Sequence, residues 1–424
     1  MPGDRIARVR VVVVDHDGGE HTLACLRSLL TTEWPAADLD LVLVDNASTA
    51  PVTATVRTEM PGVRIIESPV NLGFGGGCNL GMGDLRDVDA VALINDDVTV
   101  DPDWLAPLAT ALEHDPALGA AQPKILLAST FRELSLRSEA YAPGRGDRRA
   151  LGVRVAGARV GGLDVWRDLR APRGTWGPEV APGGRTAIWT DGDATLLVPA
   201  PDDAVTSVEL LLDAPEGRAI TARAGDAETV VVAGPEPAWS RVALGGPSMR
   251  IVHSTGVEVT PDGFGVDRGW LEPDDGRFDT PGDVFAWCGG AVLLRARYLE
   301  EVGRFDESFF LYYEDLDLAW RGRTLGWRYT YVPTAVVHHV HAASSGLGWA
   351  EKERRKERNR ITVLRRHAGL GPAARAWTRA VAATGGYLRR DAVAPALHGA
   401  RPRLGYVGAR TRALLGAART LPFG

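Results

Sequence analysis

Three short apolar segments in the first quarter of the chain each end abruptly in acidic or amide side chains. These segments are Arg8–Val14 before Asp15, Leu39–Val44 before Asp45, and Val91–Ile94 before Asn95, Asp96 and Asp97. Apolar runs of this length predict buried strands. The carboxyl ends of parallel strands meet at one edge of an open sheet, where ligands bind. The pattern therefore predicts a functional edge built from several strand ends.

The segments between these strands have helical spacing. Leucines recur through Glu20–Thr32, and a second helix is expected at about residues 51–60, before a strand at Val63–Glu67. This β-α-β-α-β order predicts an α/β fold with a mostly parallel sheet.

Asp96 and Asp97 are adjacent acids, and two carboxylates at one site repel each other unless a cation or hydrogen-bond donors compensate. A hard cation such as Mg²⁺ prefers oxygen ligands and commonly links carboxylates to the phosphates of a substrate. A solvated loop after a strand is the alternative explanation of this motif alone. The agreement of three strand ends favours a ligand site.

A glycine-rich segment, Asn71-Leu-Gly-Phe-Gly-Gly-Gly-Cys-Asn79, precedes a short helix. It matches neither the dinucleotide-binding fingerprint nor a phosphate-binding Gly-Lys-Ser/Thr loop. A plain turn remains open, but close approach of the backbone to a bulky ligand explains the glycines more fully.

Residues 131–248 have a different sequence pattern, in which short runs of alternating apolar and polar residues are separated by Gly and Pro. Such runs at intervals of about 8–12 residues predict a small β-sandwich, inserted into the α/β domain. Its tryptophans (Trp166, Trp176, Trp189 and Trp239) could stack on sugar rings, but core packing is the more common role.

The α/β pattern returns after the insertion. Trp287-Cys-Gly-Gly290 precedes an apolar strand, and Glu314, Asp315 and Asp317 open a helix after a dense aromatic stretch. Acids in a first helical turn are favoured by the helix dipole, which is the structural explanation. One acid buried under Phe309, Phe310, Tyr312 and Tyr313 would have a raised pKa suited to a general base.

A strand at residues 329–337 ends in His338-His339-Val340-His341. Imidazole beside carboxylates is a suitable ligand for Mn²⁺ or Mg²⁺. A single histidine is more often structural, and the presence of three in four positions favours metal ligation.

Charge is distributed unevenly along the chain. Residues 351–424 carry 17 Lys and Arg against 4 Asp and Glu, a net +13, which leaves −19 for residues 1–350 of a chain whose total is −6. A basic, helical C-terminal region predicts contact with an anionic membrane surface, or simply a solvated appendage. Nucleic acid is disfavoured because no binding motif accompanies the charge.

The three dispersed cysteines, and a start without the form of a signal peptide, predict a cytoplasmic protein that can lie peripherally on the membrane.

Taken together, these motifs resemble the inverting family 2 glycosyltransferases of the GT-A fold, in the bacterial rhamnosyltransferase-like and galactofuranosyltransferase-like branch. The resemblance covers about residues 8–127 and 249–345. It implies a nucleotide-sugar-binding half at 1–130 and an acceptor and catalytic half at 249–345. The inserted β domain at 131–248 is not part of the common family pattern, and the basic helical region at 346–424 is predicted from its charge. It also implies a role in cell-wall or surface polysaccharide synthesis.

The resemblance implies roles residue by residue. Asp97 and His339, the latter ahead of Ser344-Ser345, are implied as ligands of a divalent cation, Mg or Mn, and Asp315 as the catalytic base. Trp287, Gly289, Gly290 and Glu314 are implied on the acceptor side. The nucleotide-sugar donor is implied to contact Val14, Asp15, His16, Asp17, Asp45, Asn71, Gly75, Asn79 and Asp96. Three departures from the family pattern are His16 and Asp17, where relatives usually have Tyr-Asn, and Asn95, which replaces the first acid of the metal motif.

The expected function is transfer of a sugar from a nucleotide-diphosphate donor to a hydroxyl of a glycan or lipid-linked glycan. Two alternatives from other classes are a catalytically inactive carbohydrate-binding scaffold and a nucleotidyltransferase. The second would be expected to carry a cationic glycine-rich loop after its first strand, and Asp15-His-Asp-Gly-Gly19 has no cation of this kind.

Overall fold

The computed structural model describes residues 5–35, 38–144, 147–180, 185–202, 204–341, 349–397, 399, 402 and 404–418. The chain divides into two compact units. The first contains residues 1–128, 252–393 and 401–424, and the second contains residues 129–251 and 394–400. Ser344 and Ser345 lie outside the described residues.

The N-terminal part of the first unit is an alternation of strands and helices, and its last strand continues past residue 128 into the second unit. Its elements are β1 (Val9–Asp15), α1 (Glu20–Leu29), β2 (Leu39–Asn46), α2 (Thr53–Glu59), β3 (Arg64–Ser68), α3 (Gly73–Met82), β4 (Ala90–Asn95), β5 (Val98–Val100), α4 (Leu105–His114) and β6 (Leu118–Ser138). Strands β3, β2, β1 and β4 are neighbours in that order and run parallel. The register pairs Asp15 with Asp45 and Val14 with Asn95, so the predicted polar strand ends lie side by side.

The second unit consists mainly of antiparallel strands. They are β7 (Arg154–Val160), β8 (Leu163–Asp164), β9 (Arg170–Val180), β10 (Thr186–Pro199), β11 (Ser207–Asp213), β12 (Arg218–Ala224), β13 (Ala227–Ala233) and β14 (Ala238–Ala243). Their alternating side chains enclose an aliphatic core. Trp189 is buried, whereas Trp176 and Trp239 are 36% and 37% exposed and lie beside arginines.

The chain then returns to the first unit, apart from residues 394–400, which belong to the second unit. The remaining elements are β15 (Met249–Ser254), β16 (Val257–Val259), β17 (Gly265–Asp267), β18 (Gly282–Val284), β19 (Ala291–Arg295), α5 (Ala296–Val302), α6 (Glu314–Thr324), β20 (Arg328–His339), α7 (Trp349–His367), α8 (Leu370–Leu388), α9 (Ala394–Leu397) and α10 (Gly405–Ala418). Strand β19 runs antiparallel to β4, and β20 runs parallel to β6 and antiparallel to β5. The central sheet of the first unit is thus largely parallel, which confirms the predicted α/β class.

The sheet of the first unit is covered on both faces. Because strand side chains alternate, Val11 and Val13 of β1 pack in one apolar layer and Val12 in the other. Cys25 belongs to the first layer and Cys78 to the second. Helices α7, α8 and α10 share a smaller aliphatic cluster. Among the described helices, none is long and apolar enough to cross a membrane.

The glycine-rich segment differs from the expected loop, because its glycines form helix α3 itself. A Cβ on Gly77 would lie 2.6 Å from Val14, and one on Gly81 would lie 2.3 Å from Val12. The glycines therefore let α3 pack directly on β1, so these two close approaches are to the sheet and not to a ligand.

Candidate functional site

A cavity of about 1110 Å³ opens in the first unit at the carboxyl ends of β1 and β4. Most of the residues predicted for the site line it: Val14, His16, Asp17, Asn71, Asp96, Asp97, Gly289, Gly290, Glu314, Asp315 and His339. Elements distant in sequence thus meet at one concave surface, as expected for the polar edge of an α/β sheet.

Two predicted donor-binding acids lie beneath this surface and do not line it. Asp15 is fully buried and accepts hydrogen bonds from the backbone N–H of Gly18 (2.9 Å) and the hydroxyl of Thr22 (2.8 Å). Burial raises the pKa of Asp15. Asp45 accepts a hydrogen bond from the backbone of Ser48. Both carboxylates shape the turns that follow β1 and β2.

Three further predicted residues also lie outside the cavity lining. The Asn79 side chain donates to the carbonyl of Phe305 (3.0 Å), and a Cβ on Gly75 would lie 3.0 Å from the same phenylalanine. Trp287 is fully buried and packs edge-on against Phe305. These three residues hold the segment that leads into α6, so they support the site from behind.

The turn after β1 is fixed by its own acid. Asp17 has a φ of 61° and accepts hydrogen bonds from the backbone N–H groups of Thr49 (2.6 Å) and Ala50 (3.1 Å). The Ala50 hydrogen bond is the largest cause of the lowered pKa of Asp17. A Cβ on Gly18 would lie 2.5 Å from an Asp96 carboxylate oxygen, so glycine allows the turn to approach that acid.

Asp97 and His339 meet because β5 and β20 pair beside each other. The register places His339 opposite Val98, and the backbone N–H of Val340 donates to the carbonyl of Asp97. The Nε2 atom of His339 lies 2.9 Å from Oδ1 of Asp97, and both side chains are buried. One imidazole nitrogen and one carboxylate oxygen this close together form a donor set that fits a divalent cation such as Mn²⁺ or Mg²⁺.

His253 and Asp267, which were not predicted from the sequence, lie behind His339 and support it. The Nδ1 atoms of His253 and His339 are 2.9 Å apart, and Nε2 of His253 is 4.0 Å from Oδ2 of Asp267. Two imidazole nitrogens at this distance require one to carry the proton and the other to accept it. If Nε2 of His339 binds a metal, its Nδ1 carries the proton, and His253 accepts it.

His253, Asp267 and Cys288 bring their ligand atoms within 4.8 Å of one another. Burial is the main cause that raises the pKa of Asp267 to about 6, and the charge of Asp315 raises it further. His253 is the last residue but one of strand β15, before Ser254, so the same rule of polar strand ends could have found it.

The acids at the start of α6 occupy two different environments. Asp315 faces the cavity and accepts hydrogen bonds from the backbone N–H of Gly289 (3.0 Å) and of Leu316 (2.7 Å). Glu314 is 5% exposed, and its Oε2 has no hydrogen-bond partner among the described residues. Burial raises the pKa of both carboxyls, and the neighbouring Asp315 charge also raises that of Glu314.

Asp317, the third acid, is fully buried but ion-paired. Arg321 lies 3.0 Å from one of its oxygens, and His367 of α7 lies 2.9 Å from the other. Burial alone would raise the pKa of Asp317, but His367 and Arg321 outweigh it and lower the pKa. Geometry thus separates a structural acid, Asp317, from the two acids at the cavity.

The backbone just before these acids is strained. Phe310, Tyr312 and Tyr313 have φ values of 65°, 71° and 75°, a region that bulky residues rarely adopt. Asn359 of α7 holds this segment, because its buried Nδ2 lies 2.8–3.1 Å from the carbonyls of Phe309, Leu311 and Tyr312. Asn359 was not predicted from the sequence, because nothing local links a polar residue of a charged helix to a loop about 50 residues earlier.

Two solved structures are similar to the chain at low identity. The first is GalNAc-T7 with UDP, GalNAc and Mn²⁺, with 12% identity, a TM-score of 0.47, and coverage of 85% of this chain and 48% of that chain. The second is the mannosyltransferase PcManGT from Pyrobaculum calidifontis in complex with GDP-Man and Mn²⁺, with 13% identity, a TM-score of 0.42, and coverage of 98% and 88%.

Among curated proteins, the chain is similar to N-acetylglucosaminyl-diphospho-decaprenol L-rhamnosyltransferase from two strains of Mycobacterium tuberculosis. Identity is 38% over 94 residues, which is 22% of this chain and 31% of each relative. The chain thus spans about a third of the length of the curated relatives it matches.

The family model described as "Glycosyl transferase family 2" matches residues 11–159, which are 149 of the 424 residues. The matched segment contains the polar ends of β1, β2 and β4 and helix α3. The match confirms the resemblance predicted from those motifs over about a third of the chain.

Proposed function

We propose that this protein is an inverting glycosyltransferase that moves a sugar from a nucleotide-diphosphate donor to an acceptor hydroxyl of a glycan or lipid-linked glycan. The observation that carries the proposal is the convergence of Asp97, His339 and Asp315 on one cavity. The family 2 domain in the same chain supports it.

In this proposal Asp97 and His339 hold a divalent cation, Mg²⁺ or Mn²⁺. When bound, such an ion supplies positive charge that stabilises a diphosphate leaving group. The donor lies along the cavity wall formed by Val14, His16 and Asp96. The Asp17 carboxylate is already engaged by the turn after β2, so its part is to shape this wall.

Asp315 removes the proton from the attacking hydroxyl of the acceptor. Its raised pKa makes it a better proton acceptor than an exposed aspartate, and the Gly289 N–H fixes the direction of one carboxylate oxygen. The hydroxyl oxygen forms the new bond to the anomeric carbon as the bond to the donor diphosphate breaks. A single displacement from the opposite face inverts the configuration.

A purified Asp315→Asn variant tests this assignment. We expect kcat to fall by about 10²–10⁴-fold, the usual contribution of a general base, with little change in the donor KM. Asp283→Asn, an exposed acid outside the cavity, is the matched control. Near-normal turnover of Asp315→Asn would contradict the proposed role, and NMR of the product gives the anomeric configuration.

The acceptor proposed here is lipid-linked, as the name of the mycobacterial relatives states for them. Helix α8 presents Leu370, Val381 and Leu388, which are 46%, 39% and 42% exposed, together with arginines. Exposed apolar groups next to cations favour peripheral binding to an anionic membrane.

Vesicle sedimentation tests the membrane contact. A Leu370→Ser/Leu388→Ser variant is expected to bind anionic vesicles several-fold less tightly than the parent protein. Leu325→Ser, at a leucine that is 63% exposed on another element, is the control. Equal partitioning of all three proteins would remove the membrane proposal and leave the transferase proposal unaffected.

A further inference from the structure

Helix α7 presents a row of cations to the cavity. Lys352, Lys356 and Arg360 follow one another at intervals of four residues, and all three line the same cavity as Asp315. Residues four apart lie on one face of a helix, so these side chains form a continuous stripe.

The three cations differ in their partners. Arg360 is 2.7 Å from Glu357, donates to the carbonyl of Asp262 and stacks over the ring of Phe264. Within the part of the chain that the structure describes, neither Lys352 nor Lys356 forms an ion pair with a carboxylate. These two lysines therefore have no carboxylate at ion-pair distance among the described residues, although Glu353 and Glu357 also line the cavity.

One of these lysines, Lys356, contacts the segment that leads to the general base. Lys356 Nζ is 4.9 Å from the centre of the Tyr312 ring, and Tyr312 is three residues before Asp315. The candidate metal ligands come instead from the ends of β4 and β20. An anion at the lysines would therefore belong to the molecule whose hydroxyl Asp315 deprotonates.

The wall beyond the lysines combines small apolar side chains with the arginines Arg379 and Arg410. Ala376, Ala380 and Ala383 of α8 line the same cavity, and Ala376 and Ala380 are 1% and 5% exposed. A charged stripe beside small apolar side chains matches a ligand with an anionic group next to a hydrocarbon chain.

We propose that Lys352 and Lys356 bind the phosphate groups of an acceptor in which a phosphate or diphosphate joins the glycan to a lipid. This inference rests on the proposed transferase function and names the substrate class of the acceptor side. Two lysine ammonium groups provide up to six N–H donors for phosphate oxygens.

The charge state of the lysines agrees with this role. Burial lowers the pKa of Lys352, and the positive charge of Lys356 lowers it further. A dianionic group between the two ammonium groups removes their repulsion, so binding of the ligand stabilises both protonated lysines.

The test is direct binding of farnesyl diphosphate to the full chain, measured by titration calorimetry in EDTA so that no metal site contributes. The Lys352→Gln/Lys356→Gln variant is expected to bind at least ten-fold more weakly than the parent. Lys352→Arg/Lys356→Arg keeps the charge and is expected to bind within about three-fold of the parent. Farnesol, which lacks the phosphates, is expected to bind all three proteins equally.

Arg354→Gln is the matched control, because Arg354 lies on α7, pairs with Glu351 and does not line the cavity. Equal weakening by Arg354→Gln would indicate general attraction of anions or lipid headgroups and would overturn the proposal. Absence of binding to the parent, or unchanged binding by the double Gln variant, would also overturn it.

A second titration separates the acceptor from the donor. UDP and GDP binding in the presence of Mn²⁺ is expected to be the same for the parent and the double Gln variant. A loss there instead would assign the lysines to the donor diphosphate. Neither titration measures turnover, so failure of this inference is distinct from failure of the Asp315 experiment.

Discussion

Replacing Asn359 is expected to disable the site although Asn359 does not line the cavity. Its side-chain NH₂ group has two hydrogens and lies within hydrogen-bond distance of three carbonyls of the strained segment before Glu314. A net hydrogen bond contributes about 0.5–1.5 kcal/mol, so the loss of two lowers the stability of this local arrangement by about 1–3 kcal/mol.

That loss has to be compared with the strain it opposes. Three bulky residues with positive φ cost roughly 1–3 kcal/mol each. Without the hydrogen bonds from Asn359, we expect the backbone of this segment to leave its strained conformation. Because 1.36 kcal/mol corresponds to ten-fold, we expect Asn359→Ala to lower kcat by about 5- to 150-fold. Asn359→Asp should be at least as damaging, because its carboxylate would face the same carbonyls without a hydrogen to donate.

The assay combines steady-state kinetics with amide hydrogen exchange of residues 309–316. Thr362→Ala is the control, since its hydroxyl donates within α7 to the carbonyl of Arg358 and leaves the strained segment untouched. We expect faster exchange and a lower kcat in both Asn359 variants and neither effect in the control. Activity within two-fold of the parent together with unchanged hydrogen exchange would refute the claim that Asn359 holds the strained segment in place.

Two other predictions concern charge and metal. Because burial and the Asp315 charge raise the pKa of Glu314, its ionisation destabilises the folded state as pH rises above the ordinary range of a glutamate. Burial raises the pKa of Glu314 to about 8, so the melting temperature of Glu314→Gln should match the parent at pH 4, exceed it increasingly up to about pH 8, and keep a constant excess above that. Parallel melting curves at every pH would contradict this. His253→Ala should weaken Mn²⁺ binding in calorimetry by about 10- to 100-fold, the usual effect of removing a group that orients a metal-binding histidine. Unchanged Mn²⁺ affinity would exclude that role.

The parts of the structure that follow from local pattern were accessible from the sequence. Apolar runs that end in Asp15, Asp45 and Asn95 predicted parallel strands with a common polar edge, and the register confirms that these ends are neighbours. The histidines after the last strand predicted metal ligation by this cluster, and the family resemblance implied His339, which the pairing of β20 with β5 places beside Asp97.

The parts that depend on long-range packing were not accessible in this way. His253 contacts His339 across 86 residues, and Asn359 reaches a loop about 50 residues earlier. The glycines of α3 were interpreted as a place where the backbone approaches a ligand, because periodicity cannot show that a helix lies within van der Waals distance of a strand. The distinction between Asp317 and Asp315 likewise depends on His367, which only the folded helix α7 supplies.

The positions of the cysteines make thiol chemistry a reporter of this fold. Burial raises the pKa of all three thiols, and Cys25 and Cys78 are 0% and 1% exposed in opposite layers of the sheet. Only Cys288, which lines the cavity, is partly exposed, so an alkylating reagent should modify it first and any occupant of the cavity should slow that step. The thiols of Cys25 and Cys78 become reactive only when the apolar layer that buries each of them unfolds locally. Mass spectrometry of labelled peptides can therefore follow the two faces of the sheet separately.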